Sequence, residues 1–112
     1  MNQEIKAKWV AALRSGEYTQ TKERLRDVSG HCCLGVLCEI SKKETGFGIK
    51  QNLEDTHGDE NLGTTMLMWS GLGFSKGDGA EVSIGGKFGS LSAHNDDGRT
   101  FLEIADAIEE QL

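Results

Sequence analysis

Four residues near the middle of the chain, His31, Cys32, Cys33 and Cys38, are of the types that bind zinc or iron. A structural zinc site takes four ligands, typically from close pairs such as C-x2-C at well-separated points of the chain. Here the three thiols share one apolar stretch, CCLGVLCEI. If that stretch is helical, Cys32 and Cys33 point about 100° apart. Free cysteine is among the most buried residue types and packs as a small hydrophobe. The stretch therefore reads as core, and neither a metal nor a cofactor is expected. Cys33 with His94 would make a nucleophile–base pair. A catalytic thiol, however, sits in a partly exposed, electropositive place, and this stretch reads as buried.

Other patterns are incomplete. Asn95-Asp96-Asp97-Gly98 resembles part of a calcium loop. With Gly98 at loop position 6, however, positions 1 and 12 fall on Ala93 and Ile104, which cannot ligate. Asp55, His57, Asp59 and Glu60 read as a solvated acidic loop. GLGFSKGDG and IGGKFGS fail both phosphate-loop patterns, because the third glycine of G-x-G-x-x-G would be Lys76 and no G-x-x-x-x-G-K-[ST] occurs. Lys76, Lys87 and Arg99 nevertheless lie in glycine-rich segments, where exposed amides and a cation can hold an anion. Trp9 and Trp69 read as core or half-core anchors; an exposed Trp69 would instead serve as a stacking platform or an interface hot spot.

The elements that must position these residues follow from periodicity. Ile5, Trp9, Ala12 and Leu13 fall on one helical face, Asn2 can cap that helix, and Gly16 can end it. A short strand is expected around Glu23 to Arg26, followed by a Ser29-Gly30 turn. Cys32 to Ser41 is expected to be a short buried helix. Gly35 in its middle costs about 1 kcal/mol relative to alanine, which makes sense if another backbone packs close against it. Phe47 and Ile49 suit a short strand, and Met66 to Leu72 a short helix. Val82 and Ile84 share one side of a strand over Ala80 to Ile84. Gly85-Gly86 is a hairpin signal, with Lys87 to Leu91 returning. Asn95 to Gly98 reads as a tight turn. Thr100-x-x-Glu103 is a capping box opening a helix with Phe101, Ile104, Ala105, Ile108 and Leu112 on its apolar face. The expected fold is α+β: one small domain over residues 1–112, with amphipathic helices at both ends, a buried central helix and a small antiparallel sheet.

Composition narrows the partners. The chain has 112 residues, 37% hydrophobic and 27% charged, with 15 glycines, no proline and a net charge of −6. Its basic residues are outnumbered and scattered, so double-stranded nucleic acid is not an expected partner. The last helix resembles the first of a helix-turn-helix, but no recognition helix follows and its outer face is acidic. An acidic surface suits a basic groove of another protein. No apolar run approaches the roughly 20 residues of a membrane span, and no signal-peptide pattern opens the chain. With an odd count of three cysteines, a reducing cytoplasm is the expected location.

Three stretches together resemble a group of small bacteriophage and prophage proteins: WVAALRSGEYTQ (Trp9 to Gln20), HCCLGVLCEI (His31 to Ile40) and LSAHNDDGRTFLEIADAI (Leu91 to Ile108). The shared patterns are an opening W-x-x-A-L-R-S-G-x-Y-x-Q, a C-C-L-G-V-L-C core segment and a closing N-D-x-G-x-[ST]-F-x-x-I-A helix. They cover about a third of the chain. Lys42 to Gly89 carries no such pattern. The resemblance implies phage origin, a compact α+β fold and the cytoplasm of a host bacterium, and no particular chemistry. By analogy with small phage accessory proteins, it suggests a non-catalytic inhibitor of a host factor with an anti-defence role. Such a protein blocks a host protein or, as an oligomer, traps a signalling nucleotide. Tyr18, Gln20, Arg26, Asn95 and Asp96 are polar groups without an evident core role. They either line a pocket or cap turns. In the nucleotide reading Arg26, Arg99 or Lys87 meets phosphate, and Tyr18 or Trp69 stacks on the base. The alternatives are a small hydrolase or transferase using Cys33 or His94, and a structural phage subunit.

Overall fold

In the computed structural model, residues 1–22, 24–46, 69–72 and 80–112 are described. The first helix, α1 (Gln3–Arg14), begins where Asn2 turns its side-chain oxygen onto the free N–H groups of Glu4 and Ile5, at 3.0 and 3.1 Å. Capping of this kind satisfies donors that no intrahelical acceptor can reach. The helix buries Ile5, Trp9, Val10 and Leu13. Val10 takes a core place that the sequence reading gave to Ala12, which is half-buried. Helix ends drift from ideal stripes because the core wraps around more than one face.

A two-residue hairpin follows, with β1 (Arg26–Asp27) antiparallel to β2 (Gly30–His31). It lies slightly beyond the strand expected at 23–26; Glu23 falls outside the described residues. The hairpin is set by Asp27, whose carboxylate accepts from the Ser29 and Gly30 N–H groups at 2.7 and 3.1 Å and from the Thr21 hydroxyl at 2.8 Å. A side chain that bonds its own backbone two and three residues on makes a turn without help from hydrophobic pattern. Residues 19–21 run alongside, the His31 N–H donating to Thr19 and the Thr21 N–H to His31.

Helix α2 (Cys33–Thr45) is capped by Cys32 and is buried continuously from Cys33 to Cys38. The close approach expected at Gly35 is present: a Cβ there would lie 1.7 Å from the Leu25 carbonyl oxygen. Trp9 ties α1 to α2 by donating its indole N–H to the Cys33 carbonyl at 2.8 Å.

β3 (Glu81–Ile84) and β4 (Lys87–Ser90) form the second antiparallel pair, Val82 and Ile84 facing inward. Gly85 and Gly86 have φ of 59° and 82°, the left-handed pair that a two-residue turn of matching twist requires. The strand expected to reach Leu91 stops at Ser90, whose side chain caps a further helix, α3 (Leu91–Asp96), by accepting from the Ala93 N–H. Asn95 and Asp96, expected in a turn, belong to α3; the turn is Asp97-Gly98. α4 (Phe101–Gln111) opens with the predicted capping box. The side-chain amide of Gln111 meets both backbone groups of Ser83, at 2.7 and 2.8 Å, much as a neighbouring strand would. An open strand edge invites unwanted pairing, and this contact covers the outer edge of β3.

The described elements make a mixed α+β domain of four helices and two small antiparallel sheets. Trp69 and Ser70 are helical; the remainder of the helix expected at 66–72, except Gly71 and Leu72, lies outside the described residues, as does the strand expected near Phe47. Among the described residues, no helix is long and apolar enough to cross a membrane.

Gly35 distinguishes packing from propensity. If helix propensity ruled there, Gly35→Ala would stabilise by about 1 kcal/mol. With the Leu25 backbone in the way, overpacking costs of about 1–3 kcal/mol or more apply. The expected outcome is a lower melting temperature by roughly 10 °C, checked by thermal unfolding of the purified variant.

Candidate functional site

The residues singled out for chemistry fall into separate groups. The first is centred on Asn95, which is fully buried. Its Oδ1 accepts from the Cys33 backbone N–H at 3.1 Å and from Gln20 Nε2 at 2.9 Å. Its Nδ2 donates to the Thr21 carbonyl at 2.7 Å. Gln20 also donates to the Arg99 carbonyl at 2.6 Å. This set joins the loop at 20–21, the start of α2 and the α3–α4 connection. Every polar atom of the Asn95 amide is engaged by protein, so Asn95 and Gln20 act as a structural pin. Asp96, half-buried beside it, is one of the charges that adds to the upward push on the Cys32 and Cys33 thiols.

The thiols themselves are closed off. Burial pushes Cys33 well above its ordinary 9.0, and burial likewise raises Cys32. Cys33 Sγ faces the Leu91 carbonyl at 3.7 Å, while His94 Nε2 donates to the Val82 carbonyl at 2.9 Å. The pair considered from sequence thus has each member committed to a different backbone oxygen. Nucleophilic attack needs the thiolate, and this environment favours the thiol. Among the described residues, no group of three or more His, Cys, Asp or Glu side chains is arranged to hold a metal.

The second group surrounds His31. Its ring meets Tyr18 edge-on, centroids 5.1 Å apart. Lys43 donates to the Tyr18 hydroxyl at 3.3 Å. Glu39 lies between two bases, 3.4 Å from Arg26 Nη1 and 3.6 Å from His31 Nε2. His31 Nε2 is buried without a hydrogen-bond partner. Burial holds the His31 pKa below its ordinary 6.5, the Glu39 carboxylate opposing and Arg26 reinforcing that shift. Sequence reading had given Glu39 no role, because nothing local marks a helix-surface glutamate as the neighbour of a hairpin histidine.

The third group lines a polar hollow of about 430 Å³ beside the α3–α4 turn. Lys87 reaches Asp97 at 2.5 Å, and Arg99 reaches Glu103 at 2.9 Å. His94 forms part of the wall. Lys22, which sequence reading passed over, comes close: a Cβ on Gly98 would sit 3.6 Å from its Nζ. Trp69 joins none of these groups. It is half-buried and packed against the core. Tyr18 and Arg26, Lys87 and Arg99, and Trp69 therefore occupy three different surroundings.

A shallower hollow of about 240 Å³ lies between α4 and the β3–β4 hairpin, lined by Glu103, Asp106 and Glu110 together with Ser83 and Gln111. Arg14 reaches across from α1 to Asp106 and Glu109, at 2.7 and 2.5 Å.

Two outcomes are expected. Asn95→Ala leaves the Cys33 N–H and the Thr21 carbonyl without their partner, at a cost of about 1–3 kcal/mol for a buried unsatisfied group. Chemical denaturation should show the lower midpoint. For His31, the folded state takes up the proton less readily than the unfolded chain does. Its contribution to stability is therefore fully present above pH 6.5 and is lost as pH falls through the lower folded-state value. His31→Gln should flatten the decline of the urea midpoint between about pH 7 and pH 5; an unchanged slope would assign that decline to other groups.

No curated protein and no solved structure matches the chain. The family model described as Domain of unknown function (DUF8296) matches residues 1–112. The chain belongs to the DUF8296 family.

Proposed function

We propose that this chain is a non-catalytic phage accessory protein that binds a host factor and blocks it, an anti-defence role, by presenting the acidic face of α4 to a basic groove. The observation that carries this reading is the charge of α4. It holds Glu103, Asp106, Glu109 and Glu110 and no basic residue, the last turn included. Carboxylates in a final turn face the negative end of the helix dipole, which costs about 0.3–1 kcal/mol each where exposed. Folding alone would favour lysine or arginine there. Arg14 and Arg99 answer Asp106, Glu109 and Glu103 from within the chain, and a cationic partner would compensate the remainder of the exposed acidic charge. The net charge of −6 adds long-range attraction of the same sign. Phage origin is supported by the resemblance of the three sequence stretches.

Blocking a protein is favoured over trapping a nucleotide. The residues that would hold phosphate and base, Arg26, Lys87, Arg99, Tyr18 and Trp69, are not gathered in one chain. A trap would need a second copy to unite them. The buried, protonated thiols weigh against the hydrolase reading.

The test pairs wild type with Asp106→Lys/Glu110→Lys, which leaves the capping box intact. Expressed in a defence-bearing host, wild type should restore phage plating and the variant should lose about tenfold or more of that protection, in line with charge-pair couplings above 1.4 kcal/mol. Capture of the host factor should weaken steeply with salt for wild type. Equal protection by a folded variant would remove α4 as the interface. Release of material absorbing near 260 nm from heat-denatured wild type would favour nucleotide trapping.

A further inference from the structure

The hollow beside the α3–α4 turn is lined by two ion pairs, Lys87–Asp97 and Arg99–Glu103, on a molecule of net charge −6. Two cations from separate segments line it, Lys87 from β4 and Arg99 from the turn before α4, and a third, Lys22 from the loop after α1, approaches at Gly98. Asp97 and Glu103 pair with the first two, and Lys22 adds a nearby charge that neither carboxylate takes up among the described residues.

The donors are only partly used. A guanidinium carries five N–H donors and an ammonium three. Among the described residues Arg99 makes one side-chain bond, through Nη1 to Glu103, and Lys87 makes one, to Asp97. Lys22 has no partner among the described residues. Two glycines give the cations their places. A Cβ at Gly85 would come within 2.5 Å of Arg99 Nη2, so the bare glycine lets the guanidinium lie against the hairpin turn in its present place. Gly98, with φ of 95°, holds the turn that brings Lys22 Nζ close.

We propose that this hollow is a binding site for a small phosphorylated molecule, recognised through its phosphate. A planar guanidinium suits the paired oxygens of phosphate, and flanking ammonium groups add charge without demanding one geometry. The volume, about 430 Å³, falls within the range of small-molecule sites. The described lining is polar, and its one ring, the His94 imidazole, is buried and bonded to the Val82 carbonyl, so no open surface is offered on which a nucleobase would stack. The phosphate, with whatever polar group it carries, is the recognised part. This site shares Glu103 with the acidic face of α4, but the variants that test each leave Glu103 unchanged, so a failure of either leaves the other standing.

The test is an NMR titration of the full chain with inorganic phosphate, ionic strength held constant with sodium chloride. Saturable shifts are expected at the Gly85 and Gly98 amides and at the Arg99 Nε–H. Lys22→Gln should weaken binding by about threefold or more, the scale of one partly exposed charge. Asp97→Asn should tighten it by a similar factor, because it frees Lys87. Shifts that grow linearly without saturating, or that sodium chloride alone reproduces, would overturn the proposal. So would saturable binding that Lys22→Gln leaves unchanged. Lys22 is exposed and makes no hydrogen bond or ion pair among the described residues, so that variant decides the matter even if Asp97→Asn unfolds. A glycerol 1-phosphate arm reports whether a carried group adds affinity; binding of neither probe counts against the site.

Discussion

One buried amide governs how the parts of this domain meet. The Cys33 N–H, at the start of α2, has no acceptor within its own helix and no access to water. Asn95 supplies the acceptor from α3 and, through the same side chain, holds Gln20 and the Thr21 carbonyl. A buried polar group left unpaired costs more than a paired one contributes. The arrangement is therefore close to all-or-none: the loop after α1, the start of α2 and the α3–α4 connection are fixed together. The cation hollow is built on that same connection, with Arg99 held in place by the bond from Gln20 to its carbonyl.

Behind this pin, the thiol-bearing helix is packing material. Gly35 lies against the Leu25 backbone, Trp9 donates to the Cys33 carbonyl, and Cys33 is fully buried. Close backbone contact leaves no room for solvent near the sulfurs, and without solvent or a nearby cation the thiolate is not favoured. The same burial that makes α2 a good core element denies it chemistry, so the groups able to meet a ligand are displaced to the periphery.

At that periphery two opposite surfaces share Glu103. It closes the capping box through Thr100, pairs with Arg99, and lines both the cation hollow and the acidic hollow against the hairpin. The Arg99 guanidinium and the Thr100 N–H hold its carboxyl below the usual range, the backbone bond being the larger cause. One carboxylate thus opens a helix and also stands between the ion-paired cations of one hollow and the carboxylates of the other. Charged surfaces of this kind direct association more than they stabilise the fold.

Wherever a local rule suffices, the sequence by itself determined the outcome. Asn2 and the Thr100–Glu103 box fixed two helix starts because capping involves only neighbouring atoms. Gly85-Gly86 fixed the hairpin because positive φ is a property of the residue. The apolar run with Gly35 announced both a buried helix and a close backbone. Tertiary structure alone decided the rest. Helix α3 was hidden because its buried positions, Leu91, His94 and Asn95, include two polar residues that only distant partners make comfortable inside. The convergence of Lys22 with Arg99 and of Glu39 with His31 was equally hidden, since spatial neighbours on different elements leave no mark in local spacing. The polar residues Tyr18, Gln20, Arg26, Asn95 and Asp96 were visible as types, but their division between pin and surface was not. An amide is a ligand-binding group or a structural one according to whether its hydrogen bonds are already taken, and the folded chain settles that across tens of residues.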